Sequence, residues 1–176
     1  MALLRAVALA SSFLLVAVSA ARAASEGDPA PEVELAPLGG EAVDLAALHG
    51  RVVFLDFWAT WCSPCVEQLR VLDRIARKTG PDGPAIVAVS IDADGDTALR
   101  FLAEKFPGAA FRTAHDPGSE ALSSFGAEAI PALYVIDPSG VVRETHFGPG
   151  GADEVEQSLE AFSAVAPSAS PSGAVD

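Results

Sequence analysis

The hydrophobic pattern switches repeatedly between short continuous apolar runs and segments with helical spacing, which is typical of an α/β fold. The apolar runs predict strands at 51–58, 85–91, 110–113, 132–136 and 141–146. The helical spacing predicts helices at 63–78, 97–106 and 119–125, and a last helix with an apolar stripe of Val155, Leu159 and Phe162. Asp96 is expected to cap the second of these helices. Two short alternating segments, 32–35 and 42–45, predict an N-terminal β-hairpin that turns at Gly39-Gly40.

Strands that alternate with helices imply a mixed central sheet covered by helices on both faces, which is a three-layer sandwich. The first long strand, 51–58, leads within a few residues into the first long helix, 63–78. Open α/β sheets carry their functional sites at the carboxyl ends of the strands. The segment Trp61-Cys62-Ser63-Pro64-Cys65 therefore lies where a site is expected.

Cys62 and Cys65 are the only cysteines among 176 residues. Two thiols separated by two residues can close a small disulfide ring and open it again. If Cys62 lies at a helix N-terminus, the free N–H groups and the helix dipole favour its thiolate, which is the form that attacks disulfides. Pro64 suits the first turn of that helix, where a missing N–H costs nothing. The pattern indicates a redox site.

Two other uses of the cysteine pair have less support. A structural disulfide across so short a loop stabilises by roughly 2 kcal/mol, against about 4.7 kcal/mol for a loop of about 100 residues. Half of a zinc site needs two more ligands, but His49, His115 and His146 have no paired spacing. We predict no metal site and no cofactor.

The first 23 residues have the composition of an export signal. Arg5 supplies a positive charge, residues 6–18 are apolar, and Ala21-Arg22-Ala23 matches a small-x-small cleavage site. The apolar stretch is short for a membrane span, and an uncleaved anchor formed by residues 6–21 is the alternative. Export to the periplasm or another extracytoplasmic space implies a compartment in which disulfides persist.

The composition divides the chain into a signal peptide (1–23), a linker (24–31), one folded domain (32–165) and a disordered tail (166–176). The formal net charge is −13, and it becomes −15 without residues 1–23, because Arg5 and Arg22 are the only charged residues there. Such an acidic chain argues against nucleic acid and anionic membranes as partners. We expect a monomer.

The acidic run Asp92, Asp94 and Asp96 follows a calcium-loop pattern for three positions only and indicates a solvated helix start.

Residues 53–65, Val-Phe-Leu-Asp-Phe-Trp-Ala-Thr-Trp-Cys-Ser-Pro-Cys, resemble the active-site segment of thioredoxin-fold proteins. The sequence of this segment is most similar to that of the exported TlpA/ResA/DsbE-like branch. The resemblance extends over about residues 29–163, and it includes an extra αβ segment at 92–113 and Ile130-Pro131 before the strand at 132–136. It implies a thioredoxin-like sandwich with an αβ insertion and a thiol–disulfide oxidoreductase activity.

The resemblance also implies a role for each residue of the site. Cys62 is the nucleophile and Cys65 is the resolving thiol of a redox-active Cys62–Cys65 disulfide. Pro131 is a cis-proline that faces the dithiol, because an X-Pro bond is the one cis peptide of low cost. The backbone of Ile130 is then open to pair with an extended substrate. The other expected substrate-binding residues are Trp61, Ser63 and Pro64.

Asp56 is a carboxyl group inside an apolar strand, where burial disfavours the charged form and should raise the pKa. We predict that it takes and returns the proton of Cys65. Thioredoxin has an aspartate at the matching place, whereas many proteins of the exported branch have asparagine. A lysine of thioredoxin corresponds to about Ala88 here. The glutamate that the branch often carries three residues after its second cysteine is replaced by Gln68.

The predicted function is reduction of disulfides in extracytoplasmic client proteins, with electrons from a membrane-embedded donor. Ser63-Pro64 contains no cation, so it should stabilise the Cys62 thiolate less than a histidine-containing pair would, which makes a weaker oxidant. Cytochrome c maturation is the client pathway that the branch suggests.

Two alternatives stay open. A peroxiredoxin-like peroxide reductase also suits the Pro-Ala-Pro-x-Val opening, although Thr60 lies two residues before Cys62 instead of the three of a peroxidatic motif. A copper or zinc metallochaperone would use both thiols and one histidine. Copper carriers on this fold usually separate their cysteines by three residues rather than two.

Overall fold

The computed structural model describes residues 24–157. The predicted signal peptide at 1–23, residues 158–165 of the predicted domain and the predicted tail at 166–176 lie outside the described residues. Among residues 24–157, no helix has the length and apolar character needed to cross a membrane.

The structure is a six-stranded sheet with helices on both faces. The strands are β1 (Ala36–Pro37), β2 (Val53–Trp58), β3 (Ala85–Ser90), β4 (Arg112–His115), β5 (Ala132–Ile136) and β6 (Val142–Phe147). The helices are α1 (Ser63–Thr79), α2 (Gly95–Lys105), α3 (Glu120–Ser124) and α4, which begins at residue 151 and is described to residue 157. A 3-10 turn occupies Ala46–Leu48.

The sheet is mixed, as the sequence predicts. Its strand order is β1-β4-β3-β2-β5-β6, in which β2, β3 and β4 are parallel and β1, β5 and β6 pair antiparallel with their neighbours. The long helix α1 connects β2 to β3, and the pair α2 and β4 forms the predicted αβ insertion. These features, with helices on both faces, confirm the thioredoxin-like α/β class.

The side chains of β2 divide the core into two layers. Phe54 and Trp58 pack with residues of α1, α2 and α4, whereas Leu55 and Phe57 pack with residues of α3 on the other face. Side chains alternate along a strand, so Asp56 lies on the same face as Phe54 and Trp58, beneath α1. This placement puts the one acidic residue of β2 next to the helix that carries both cysteines.

The predicted N-terminal hairpin is reduced to one bridge, between Leu35 and Val43. Residues Ala36–Pro37 pair with β4 instead and form an edge of the sheet. Leu38 is buried in the main core, and its carbonyl oxygen accepts a hydrogen bond of 2.7 Å from Thr113 Oγ1. Burial of Leu38 against the sheet explains why this segment joins β4 rather than folding back on itself.

The segment 24–31, whose composition predicts a linker, is attached to the sheet. Gly27 N donates to Val142 O, Val142 N donates to Asp28 O, and Ala30 N donates to Gly140 O. β6 lies at the edge of the sheet, where backbone groups lack a neighbouring strand, and the 24–31 segment supplies partners for the start of β6.

The N-cap of α2 is Asp94 and not Asp96, so that detail of the sequence prediction is wrong. The side chain of Asp94 accepts hydrogen bonds from Asp96 N and from Thr97 Oγ1. The helix starts two residues earlier than the apolar pattern indicates, at Gly95, because a capping side chain bonds the N–H groups that follow it.

Candidate active site

The cysteine pair lies where β2 leads into α1. Cys62 is the N-cap of α1, and its sulfur accepts a hydrogen bond of 3.3 Å from Cys65 N. Ser63 and Pro64 occupy the exposed first turn, where proline removes an N–H that has no partner inside the helix. The sulfur of Cys62 therefore lies at the positive end of the α1 dipole and is bonded by an N–H group of the first turn.

The two cysteines form a disulfide and differ in exposure. The sulfur atoms of Cys62 and Cys65 are bonded, while Cys62 is 7% exposed and Cys65 is fully buried. A reaction partner from solution therefore meets Cys62 first. Cys65 is shielded from solvent.

Trp61, which directly precedes Cys62, and Ile130 line one groove with a volume of about 820 Å³. Its other lining residues are apolar, small and polar ones, namely Ile91, Ser119, Leu122, Ser123, Gly126, Ala127, Glu128 and Ala129. Trp61 is 68% exposed, an unusual state for so large an apolar side chain. The peptide bond between Ile130 and Pro131 is cis, and Pro131 directly precedes β5. The groove thus joins the loop before Cys62 to the segment before β5.

Asp56 is fully buried in β2 between two apolar neighbours. Its register partners are Ala88 on β3 and Leu133 on β5. Ala88 thus stands beside Asp56, at the place that the resemblance assigns to the lysine of thioredoxin. Burial raises the pKa of Asp56 to about 8, against a smaller opposing effect of a hydrogen bond from Gln68.

Gln68 is the partner of Asp56, and this contact was not evident from the sequence. Gln68 lies on the buried side of α1, one turn after Cys65, and its Nε2 donates a hydrogen bond of 2.6 Å to Asp56 Oδ1. One feature of the sequence could have indicated this contact: a polar glutamine interrupts the apolar face of a helix that packs on a strand with a buried acid. Asp56, Cys65 and Gln68 therefore share one interface between β2 and α1.

A second buried carboxylate, Asp92, supports the loop that carries Trp61. Its oxygens accept hydrogen bonds from Thr60 N at 3.0 Å, from Thr60 Oγ1 at 2.7 Å and from Ser90 Oγ at 2.9 Å. The expectation of a solvated helix start is wrong for Asp92, because this residue is buried at the end of β3. The network ties the β2–α1 loop to β3 just before the first cysteine.

The three histidines lie apart and are not gathered at the cysteines. His115 Nε2 bonds with Asp92 O at 2.7 Å, and His146 lies between Glu144 and Glu154 at 3.0 Å and 2.8 Å. In the part of the chain that the structure describes, no group of three or more potential metal ligands is arranged to hold an ion.

Comparison with known proteins now decides the family. The family model described as Redoxin matches residues 25–161. The chain belongs to the Redoxin family. It is similar to the thiol–disulfide oxidoreductase ResA of Bacillus thuringiensis (strain Al Hakam), with 30% identity over 136 residues that cover 77% of this chain and 75% of ResA.

Similar solved structures agree with this placement. A crystal structure from Chlorobium tepidum, assigned as a thiol:disulfide interchange protein DsbE, superposes with a TM-score of 0.71 at 34% identity and covers 80% of this chain and 99% of that one. The exposed lipoprotein thioredoxin Etrx1 of Streptococcus pneumoniae superposes with a TM-score of 0.63 at 26% identity and covers 74% and 99%. These relatives confirm the TlpA/ResA/DsbE-like branch, and with the Cys62–Cys65 pair they identify this Redoxin protein as a thiol–disulfide oxidoreductase.

Proposed function

We propose that this oxidoreductase reduces disulfides of client proteins in an extracytoplasmic space through a Cys62–Cys65 dithiol/disulfide cycle. The observation that carries the proposal is the unequal placement of the two sulfurs at the N-terminus of α1. Cys62 is partly accessible at the helix end, whereas Cys65 is fully buried beside it. That arrangement suits one attacking thiol and one resolving thiol.

The cycle starts from the reduced form. The Cys62 thiolate attacks one sulfur of a client disulfide, a Cys62–client bond forms, and the other client sulfur leaves as a thiolate and takes a proton from water. Asp56 in its deprotonated form takes the proton of Cys65, and the Cys65 thiolate attacks the sulfur of Cys62. The Cys62–Cys65 bond forms, the bond from Cys62 to the client breaks, and the second client sulfur leaves as a thiolate that takes a proton from water, while Asp56 gives its proton back to solvent. The client gains two electrons and two protons, and a membrane-embedded donor returns two electrons, with two protons from water, to the enzyme.

Asp56 suits the role of proton acceptor because its pKa lies near that of a thiol. An ordinary aspartate is too weak a base to take a proton from a cysteine with a pKa of about 8.5. Burial brings the pKa of Asp56 to about 8, so that proton transfer between the two groups is nearly balanced.

The groove between Trp61 and Ile130 is the proposed client site. An extended client segment would pair with the backbone of Ile130 before Pro131, while apolar client side chains pack on Trp61. Ser63 and Pro64 border Cys62 on the exposed first turn and would contact the client next to its cysteine.

Export is supported by the signal-like composition of residues 1–23 and by the description of one relative, Etrx1, as an exposed lipoprotein. On this proposal residues 1–23 are a signal peptide or an anchor at 6–21, and 166–176 is a tail beyond the folded domain. The reducing direction rests on Ser63-Pro64, which adds no cation to stabilise the Cys62 thiolate. Cytochrome c maturation is a client pathway consistent with such a reductant.

An insulin-reduction assay tests the activity, with Cys62→Ser, Cys65→Ser and the unchanged protein compared. We expect no turnover from either variant, and a stable mixed disulfide with the client from Cys65→Ser only. Full activity of Cys62→Ser would refute the proposal. The reduction potential of the pair tests the direction: a value near about −270 mV supports a reductant, whereas one near about −120 mV identifies an oxidant. Peroxide consumption and bound copper or zinc, measured on the same reduced samples, test the two alternative functions.

A further inference from the structure

Gln68 stands between the buried carboxyl group of Asp56 and the protein surface. Its Nε2 donates to Asp56 Oδ1 at 2.6 Å, and the residue is only 4% exposed. The same side chain lines a surface groove of about 450 Å³ between α1 and the segment 149–153. One glutamine therefore touches both a buried acid and a route to solvent, on a different side of α1's first turns from the Trp61 groove.

Two oxygens at this contact have no hydrogen-bond partner among the described residues, namely Asp56 Oδ2 and Gln68 Oε1. Both are buried, and an unpaired buried oxygen is costly. A Cβ atom built on Gly151 would lie 3.5 Å from Gln68 Oε1 and 2.6 Å from His146 Cβ, so the backbone of the segment 149–153 packs closely beside the unpaired amide oxygen.

We propose that Gln68 is a gate that controls how protons pass between Asp56 and solvent, an inference that rests on the proton-transfer role proposed for Asp56. The amide holds Asp56 Oδ1 and leaves Oδ2 as the oxygen that receives the Cys65 proton. The Gln68 side chain also separates the carboxyl group of Asp56 from water in the groove. The proton that Asp56 has taken later passes to that water. Gln68 is a positioning residue, since it acts on the reaction through Asp56.

The charged groups nearby lie along the groove and not against Asp56. From α1 the groove is lined by Glu67, Arg70 and Arg74, and from the 149–153 segment by Asp153. Arg74 also pairs with Glu156, and His146 contacts Glu144 and Glu154. The β3 and β5 neighbours of Asp56 are Ala88 and Leu133. Within residues 24–157, Gln68 is the only side chain that hydrogen-bonds to Asp56. Cys62 and Cys65, on the same helix, form a disulfide in the oxidised chain and do not titrate there.

Two substitutions separate the two functions of the gate. Gln68→Leu keeps the volume and removes the donor, so the pKa of Asp56 should rise by about one to two pH units, the equivalent of a hydrogen bond to a charged group. Gln68→Ala opens the groove to the carboxyl group, so hydration should lower the pKa of Asp56 towards its ordinary value. A residue with only a packing role would lower the pKa of Asp56 in Gln68→Ala and leave it unchanged in Gln68→Leu, so the rise in Gln68→Leu is the result that distinguishes the amide donor.

The pKa of Asp56 is measured from the carboxyl stretching band in infrared difference spectra against Asp56→Asn, on the oxidised full chain. Glu67→Gln is the matched control: it removes a charge from the same groove one residue away, and we expect a change below about 0.3 pH units. Gln68→Met, which preserves side-chain length without the amide, replaces Gln68→Leu where the latter does not fold.

Opposite pKa shifts in Gln68→Leu and Gln68→Ala support the gate. An unchanged pKa in Gln68→Leu, or shifts of the same sign in both variants, overturn it. The pH profile of insulin reduction gives a second readout, because the Gln68 substitutions should shift this profile in the unchanged background and leave it unshifted beside Asp56→Asn. A shift that persists beside Asp56→Asn would show that Gln68 does not act through Asp56. The spectroscopic result needs no catalytic turnover, so it stands apart from a failure of the reductase activity itself.

Discussion

Gln68 on α1 and Asp56 on β2 are joined by a hydrogen bond of 2.6 Å across the interface of helix and sheet. The resemblance to the exported branch gives this pair a meaning, since many of those proteins have asparagine at the place of Asp56 and often glutamate at the place of Gln68. Here the acid lies on the strand and the amide lies on the helix, the reverse of the residue types that the resemblance gives for those proteins.

The first prediction concerns the pH dependence of stability. The pKa of Asp56 is about 8 in the folded protein and near 3.8 when unfolded, so between these values the folded state binds a proton that the unfolded state lacks. Stability therefore falls as pH rises through this window, by about 1.4 kcal/mol per pH unit from this group. Asp56→Asn should remove that contribution and be more stable than the unchanged protein at about pH 9, in urea unfolding of the oxidised forms. An identical pH slope for both proteins would contradict a protonated Asp56.

The second prediction concerns the rate of the resolving step. Asp56→Asn keeps an oxygen for the Gln68 amide but removes the base that takes the Cys65 proton. We expect release of the client from the mixed disulfide to slow by about a hundredfold at neutral pH, as is usual for the loss of a general base. The difference in rate between Asp56→Asn and the unchanged protein should become smaller at higher pH, because Cys65 then loses its proton directly to solvent. Stopped-flow decay of the mixed disulfide measures this step, and a constant defect at all pH values would refute the role.

The sequence allows most of the sheet and the cysteine site to be predicted, because these depend on local patterns. The buried run before Cys62 and the amphipathic helix after it are visible as continuous apolar residues and as helical spacing. The predicted bounds of α1 agree with the structure to within one residue at its C-terminal end. The prediction of an N-terminal hairpin was wrong for Ala36–Pro37. These residues pair with β4, which is far away in the chain, and local sequence patterns do not reveal such a pairing.

Side-chain partners were less predictable than elements. Asp92 and Asp94 belong to one acidic run, yet Asp92 is buried under Thr60 and Asp94 is an exposed helix cap. Their acidic character alone predicts that both side chains are exposed to solvent. The difference arises from the end of β3, which fixes where the chain leaves the sheet, and the Gln68–Asp56 contact likewise depends on how α1 packs on β2.

The third prediction concerns Asp92, which holds the loop before the cysteines through three donors from Thr60 and Ser90. Asp92→Asn replaces an acceptor oxygen by an NH₂ group that faces those donors, so we expect a loss of about 1–3 kcal/mol in the free energy of unfolding. Asp94→Asn is the matched control, because asparagine caps a helix as well as aspartate does. Urea unfolding of both variants measures the difference, and equal stability of the two would contradict a supporting role for Asp92.

The last prediction tests Trp61 as a client contact. Trp61 and Phe147 are both large, exposed apolar side chains, but Trp61 lies on the groove with Ile130, whereas Phe147 lies at the end of the edge strand β6. Truncating an aromatic contact in a binding site costs about 1–2 kcal/mol, so Trp61→Ala should raise the KM for insulin about tenfold and leave reduction of a small aromatic disulfide nearly unchanged. Phe147→Ala should leave both activities close to those of the unchanged protein. An equal loss with both substrates would show that Trp61 affects the reactivity of Cys62 instead of the binding of the client.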